Sequence, residues 1–313
     1  MKLALGPLLY FWSRDDVLAF YRQARDWPVD VVYLGEVVCS KRRGVRLEDW
    51  LAIAEELTAA GKQVVLSTLA LIEAESELLT LRRIIDNGRF AVEANDMGAV
   101  RLAANKVPFV AGPHLNAYNC ATLGLFRDLG AQRWVMPVEL SRDTLAAIQA
   151  CRPAGLETEV FAFGRLPLAF SARCFTARHY NLPKDDCQLR CGDFSDGLVL
   201  NSQEGEQFLS MNGIQTQSAA TCNLIGVVSE LKELNVEVLR LSPQSRHMDK
   251  IVGAFRAVID GTQTPQQGID ALRGLTRGEP CNGYWYGGAG LAWLDQGEVR
   301  EARAQSGDKK QRC

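Results

Sequence analysis

Short apolar runs alternate with amphipathic segments from the first residues to about residue 164, and this rhythm limits the fold more than any other feature. KLALGPL (2–8), VVYLGE (31–36), QVVLSTL (63–69), RFAVEAN (89–95), PFVAGPHL (108–115), RWVMPVE (133–139) and ETEVFAFG (157–164) read as seven strands. Segments 14–25, 48–61, 73–86, 96–105, 119–129 and 141–151 read as helices, with Asp96 and Ser141 as N-caps and Gly61 as a stop. Strands this continuously apolar are buried on both faces, as in a parallel sheet covered by helices. A repeat of about 22 to 30 residues closes most naturally as a TIM-like (β/α)8 barrel. VEVLRLSP (236–243) supplies the eighth strand, with helices over 223–234 and 248–260 on either side. An open doubly wound sheet is the weaker α/β reading, because no Gly-rich phosphate loop follows the first strand.

The rhythm breaks over 165–222. A cysteine-containing segment comes first, and short alternating runs with Glu-Gly and Asn-Gly turns follow over 196–219. This predicts a small β-rich insertion after strand seven, on the barrel's catalytic face. The expected organisation is one barrel domain over 1–293, with 278–293 as a loop packing on it, and a disordered polar tail over 294–313 that ends in Cys313. Hydrophobic content of 47% and charged content of 23% are ordinary for a soluble globular chain. A net charge of −2 gives no bulk drive toward nucleic acid or an anionic membrane. No run approaches the ~20 apolar residues of a transmembrane helix. The N-terminal run lacks a small-residue cleavage site and reads as a strand, which places the protein in the cytoplasm.

Four of the nine cysteines carry the chemistry. Cys39 follows strand two, and Cys174, Cys187 and Cys191 follow strand seven in SARCFTARHYNLPKDDCQLRC. In a barrel both segments lie on the C-terminal rim, where active sites are found. Four thiolates suit tetrahedral zinc or an iron–sulfur cluster. The spacing C-x12-C-x3-C matches neither the common ferredoxin patterns nor the paired C-x2-C of zinc ribbons, so both metals stay open on spacing alone. Arg165, Arg173, Arg178, Lys184 and Arg190 crowd this segment and would favour thiolates, with Lys184 and Arg190 read as solvated loop charges. His179 is a spare ligand, and His114 and His247 form no HExxH motif with it. Cys120, Cys151, Cys222 and Cys281 read as small buried hydrophobes. The polar strand-end groups are Glu36, Ser67, Thr68, Glu93, Asn95, Asp96, His114, Asn116, Glu139, Arg165 and Arg240. Among them Glu93, His114 and Arg165 are the pocket candidates, Arg165 as anion partner in a site for an aromatic or carboxylate-bearing ligand.

FAVEANDMGAVRLA (90–103), HLNAYNCATLGLFRDLGAQRWVMPVELS (114–141) and FGRLPLAFSARCFTARHYNLPKDDCQLRC (163–191) resemble the collagenase-like peptidase family U32, and the resemblance covers about residues 1–293. It implies that Cys39, Cys174, Cys187 and Cys191 bind a 4Fe–4S cluster. It also implies a heterodimer with a paralogous partner, UbiU, acting on a ubiquinone precursor in oxygen-independent hydroxylation of the ring. The peptidase label finds no nucleophile–base arrangement to support it. The alternative is a zinc- or cluster-stabilised peptidase or peptide-binding barrel without a redox role.

Overall fold

The computed structural model describes residues 1–295; the expected tail lies almost wholly outside the described residues, as does Cys313. Seven strands come first: β1 (Lys2–Leu5), β2 (Val31–Leu34), β3 (Gln63–Ser67), β4 (Ala91–Ala94), β5 (Phe109–Ala111), β6 (Ala131–Val135) and β7 (Glu157–Phe170). Each pairs in parallel with the next. The insertion contributes β8 (Leu198–Asn201), β9 (Gln207–Asn212) and β10 (Gln215–Asn223), and β11 (Val238–Leu241) is the expected eighth barrel strand. β11 pairs in parallel with β7, Val238 opposite Glu159, and with β1, Leu239 opposite Leu3. These two pairings close the barrel and rule out the open sheet.

Strand ends differ from the sequence reading where local geometry intervenes. β5 stops at Ala111 because Pro113–Leu115 winds into a 3-10 turn. β7 runs on to Phe170 because it gains a second, antiparallel partner in β10, Phe170 opposite Gln215 and Arg165 opposite Thr221. The strand leaves the barrel at Gly164, whose φ of +127° is open to glycine but strained for other residues. A Cβ there would lie 2.5 Å from the Cβ of Ser242. β9 and β8 continue the same sheet outward, so the insertion is an extension of the barrel wall. A short strand, β12 (Pro280–Cys281), pairs with β10, and Trp285 is buried, so the 278–293 stretch packs on the barrel as its aromatic content suggests.

Inside the barrel, Ala4, Val31, Val65, Val110, Val135 and Val238 pack around Tyr33. A larger core lies between the strands and the outer helices, with Leu57, Phe126, Ile251 and Phe255 fully or nearly fully buried. A third cluster, Leu9, Val37, Val38 and Ile214, fills the space beneath the insertion and touches Cys39 and Cys174. Helix starts follow their caps: Asp96 accepts from the Gly98 amide at 2.6 Å and Ser141 from Thr144 at 3.3 Å. Cys120 and Cys151 correct the sequence reading, since they form a disulfide across a separation of 31 residues. Packing of the helices Cys120–Asp128 and Arg142–Cys151 brings them together, and no local pattern signals it. Cys222 and Cys281 are buried free thiols, as expected.

Candidate metal centre and barrel mouth

The four cysteines Cys39, Cys174, Cys187 and Cys191 are free, half-buried thiols on one rim. Each is placed by a different local device. Cys39 sits in the turn after β2, where the Glu36 carboxylate accepts from the amides of Val38 at 2.8 Å and Cys39 at 3.0 Å. Cys174 caps the short helix Phe175–His179, its Sγ accepting from the Ala177 amide at 3.4 Å. That helix is pinned to the β9–β10 turn: the Gly213 amide donates to the Thr176 hydroxyl at 3.0 Å, and the Phe175 amide to the Gly213 carbonyl at 3.0 Å. Between Cys187 and Cys191 the chain turns through Gln188 and Leu189, both left-handed at φ 51° and 52°.

Two cations hold these segments together, and the sequence reading named neither. Lys41 donates to the Lys184 carbonyl at 2.9 Å and pairs with Asp185 at 2.6 Å, which ties the Cys187 loop to the Cys39 loop. Arg42 is buried; it donates to the Leu9 carbonyl at 2.8 Å and to Asn212 at 2.6 Å, and lies 3.7 Å from Glu36. Burial pushes the thiols of Cys39 and Cys191 up, and Arg42 opposes the rise at both. Lys184 is no free loop charge: it pairs with Glu73 and donates to the Ala172 carbonyl. Arg190 stacks on Tyr180, 5.1 Å from the ring centroid, and His179 sits edge-on to the same ring.

The donor set fits a thiolate-ligated group in its chemistry. Four thiols, none spent in a disulfide, share a rim with Arg42 and Lys41, which offset negative charge. Among the described residues no three His, Cys, Asp or Glu side chains already stand as a shell around one point.

The pocket candidates separate. Glu93 lies inside the barrel in a buried network: Ser67 and Asn95 donate to its Oε2 at 2.7 and 3.1 Å, and Arg240 pairs with its Oε1 at 2.7 Å. Arg240 also pairs with Glu159, over the ring of Tyr33. Tyr33 donates to Glu159 at 2.5 Å, and Arg133 approaches the same carboxylate at 3.3 Å. Burial alone would lower the Arg240 pKa; Glu159 and Glu93 outweigh it and hold the guanidinium well above its ordinary value. Asn95 Oδ1 and Arg240 Nη2 are buried polar atoms without a protein partner. Sequence reasoning missed Tyr33, Arg133 and Glu159. A signal existed, since charged residues inside apolar barrel strands must point inward and be paired.

His114 stands above this network, in the 3-10 turn after β5, edge-on to Phe170 at 4.6 Å between ring centroids. Burial, then the charge of Arg240, pushes it down to about 3, so the imidazole is neutral near pH 7. It lines a cleft of ≈ 260 Å³ with Leu71, Val138, Glu139, Leu168 and Phe170 among its walls. Arg165 is elsewhere. It donates to the Asp196 carbonyl and, at 2.9 Å, to Ser210, and so fastens the insertion to β7.

A closed parallel barrel with four free thiols in loops on its C-terminal rim defines the class. The chain belongs to peptidase family U32, whose pattern it matches over residues 18–290. Among curated proteins it is 27% identical to tRNA hydroxylation protein P of Escherichia coli (strain K12) over 197 residues, which is 59% of this chain and 42% of that protein. It is 32% identical over 105 residues to the protein of the same name from Haemophilus influenzae, 32% of this chain and 22% of the other. The matches thus take in less than half the length of those relatives. A solved U32 peptidase aligns with a TM-score of 0.43 at 12% identity, over 78% of this chain and 93% of that one. Among the described residues no helix is long and apolar enough to cross a membrane.

Proposed function

We propose that Cys39, Cys174, Cys187 and Cys191 hold a 4Fe–4S cluster and that the chain serves oxygen-independent hydroxylation of the ubiquinone ring, in the cytoplasm, paired with its paralogue UbiU as UbiV is. The observation that carries this reading is the placement of four free thiols in loops of one rim, beside Arg42 and Lys41. The names of the curated relatives support hydroxylation as the reaction class. A bound cluster would supply one-electron transfer at the rim. The chain's own part is to place the thiols, offset their charge and shield them beneath the insertion. Cluster binding would require the four side chains as thiolates, so the chain would release the thiol protons on loading.

A second substrate class, tRNA, is favoured by the relatives' names. The net charge of −2 weighs against it, because RNA binding draws on clustered Lys and Arg. A zinc-stabilised peptidase has less support, since four thiols that close a shell leave no open position for a catalytic water.

Iron and sulfide analysis of protein purified without air is the direct test. The expected result is a brown protein with broad absorption near ~400 nm. Replacing any of the four cysteines by Ala removes the iron, and Cys222→Ala keeps it. One stoichiometric zinc in a colourless protein would sink the cluster. For the pathway, quinones are extracted from a deletion strain grown with and without air. Loss of ubiquinone only without air, unrescued by Cys39→Ala, is expected; normal anaerobic ubiquinone in the deletion strain would remove the assignment.

A further inference from the structure

The cleft above the barrel network is built from four strand ends. Leu71 comes from the loop after β3, His114 from the turn after β5, Val138 and Glu139 from the loop after β6, and Leu168 and Phe170 from the part of β7 that overhangs the barrel. It is a concave site on the face where barrels act, near the small end of ligand pockets at ≈ 260 Å³, which suits one substituted ring. Phe170 presents an aromatic wall, and Leu71, Leu168 and Val138 present apolar ones. The His114 ring makes a ring contact with Phe170 and forms no hydrogen bond with protein among the described residues, so its nitrogens are open to a ligand.

The charges around the cleft are one-sided. Its lining includes no Lys or Arg, and its one charged side chain is Glu139, which accepts from the Tyr118 hydroxyl at the mouth. Arg240, beneath His114, has its charge matched by two carboxylates, Glu93 and Glu159, and only its Nη2 is without a partner. Arg165, the natural anion partner by sequence, is held by Asp196 and Ser210. A ring carrying a carboxylate would be desolvated here with no unpaired counter-ion and a like charge nearby.

We infer that this cleft is the ring-binding site of the chain, that it takes an uncharged aromatic alcohol in preference to an aromatic acid, and that His114 is its hydrogen-bonding contact. This rests on the hydroxylation reading above, and deepens it by giving the substrate ring a place and a charge state.

Two probes matched but for the carboxylate test it: 2-methylphenol and 4-hydroxy-3-methylbenzoate, titrated into the full chain while the imidazole nitrogens are followed by NMR. The phenol is expected to move one imidazole, and that signal disappears in His114→Asn. The benzoate is expected to bind at least about tenfold more weakly, a difference of ~1.4 kcal/mol. Glu139→Gln narrows the gap, and added salt narrows it in the wild type. Leu168 is an exposed side chain, so Leu168→Asp should fold, as checked by circular dichroism, yet weaken the phenol about tenfold. Equal or tighter binding of the benzoate, a moving imidazole that survives His114→Asn, or no binding of either probe overturns the inference. If the phenol binds at His114 but the deletion strain makes normal anaerobic ubiquinone, the pathway fails and the cleft stands. If the strain lacks ubiquinone but neither probe binds, the cleft fails alone.

Discussion

The barrel interior and the barrel rim treat reactive side chains in opposite ways. Inside, Glu93, Glu159, Arg133 and Arg240 are buried on strands and paired with one another, and Tyr33 fills its hydrogen bond to Glu159. On the rim, four thiols sit half-exposed on loops, and their neighbours Arg42 and Lys41 each hold a backbone carbonyl as well as facing a carboxylate. A buried charge without a partner is so costly that the interior holds its charges in pairs. The rim, wetted by solvent, can keep groups in reserve for something that arrives later. Sequence chemistry alone makes Glu93 a pocket candidate; in the fold it lies beneath the cleft, bonded to Ser67, Asn95 and Arg240.

If that division is real, breaking the interior costs stability and breaking the rim costs binding. The largest effect is expected from Glu159→Ala, which takes from Arg240 and Arg133 a shared buried carboxylate and leaves them Glu93 and Glu157: about 3 kcal/mol lost in urea unfolding. A loss under 1 kcal/mol would mean that water reaches the network and the interior is no different from the rim. Next is Gly164→Ala, which places a Cβ against Ser242 at a positive φ. It should cost about 2 kcal/mol by the same measurement and loosen hydrogen exchange in β10.

His114 tests the boundary between the two regions through pH. Its folded pKa of about 3 lies below the ordinary imidazole value of 6.5, so the unfolded chain takes up the proton first. Its penalty is absent above pH 6.5 and grows as pH falls toward 3, at most about 1.4 kcal/mol per pH unit. His114→Asn should therefore gain on the wild type in stability between pH 7 and pH 4; a constant difference would show that the imidazole is not desolvated. Asp96→Ala removes a cap and should cost about 1 kcal/mol. The smallest change belongs to the rim: Cys187→Ser in metal-free protein is expected within about 0.5 kcal/mol of the wild type. A large loss there would make the thiols structural.

The barrel was legible in the sequence because hydrophobic burial on both faces of a parallel strand writes itself as an unbroken apolar run, and caps such as Asp96 and Ser141 mark where helices start. The four cysteines were legible too, as thiols in polar loops after two strands of a barrel. What tertiary structure decided is which groups meet. Arg42 and Lys41 are two ordinary basic residues until folding sets them beside thiols about 150 residues away in sequence. Arg165 looks like an anion ligand by sequence, and in the fold its Nη1 is held by Ser210 of β9 and the Asp196 carbonyl. Cys120 and Cys151 carry no local pattern that pairs them. Local sequence encodes periodicity, caps and turns through interactions between near neighbours; pairing across the chain depends on helix packing and strand register, which only the closed barrel sets.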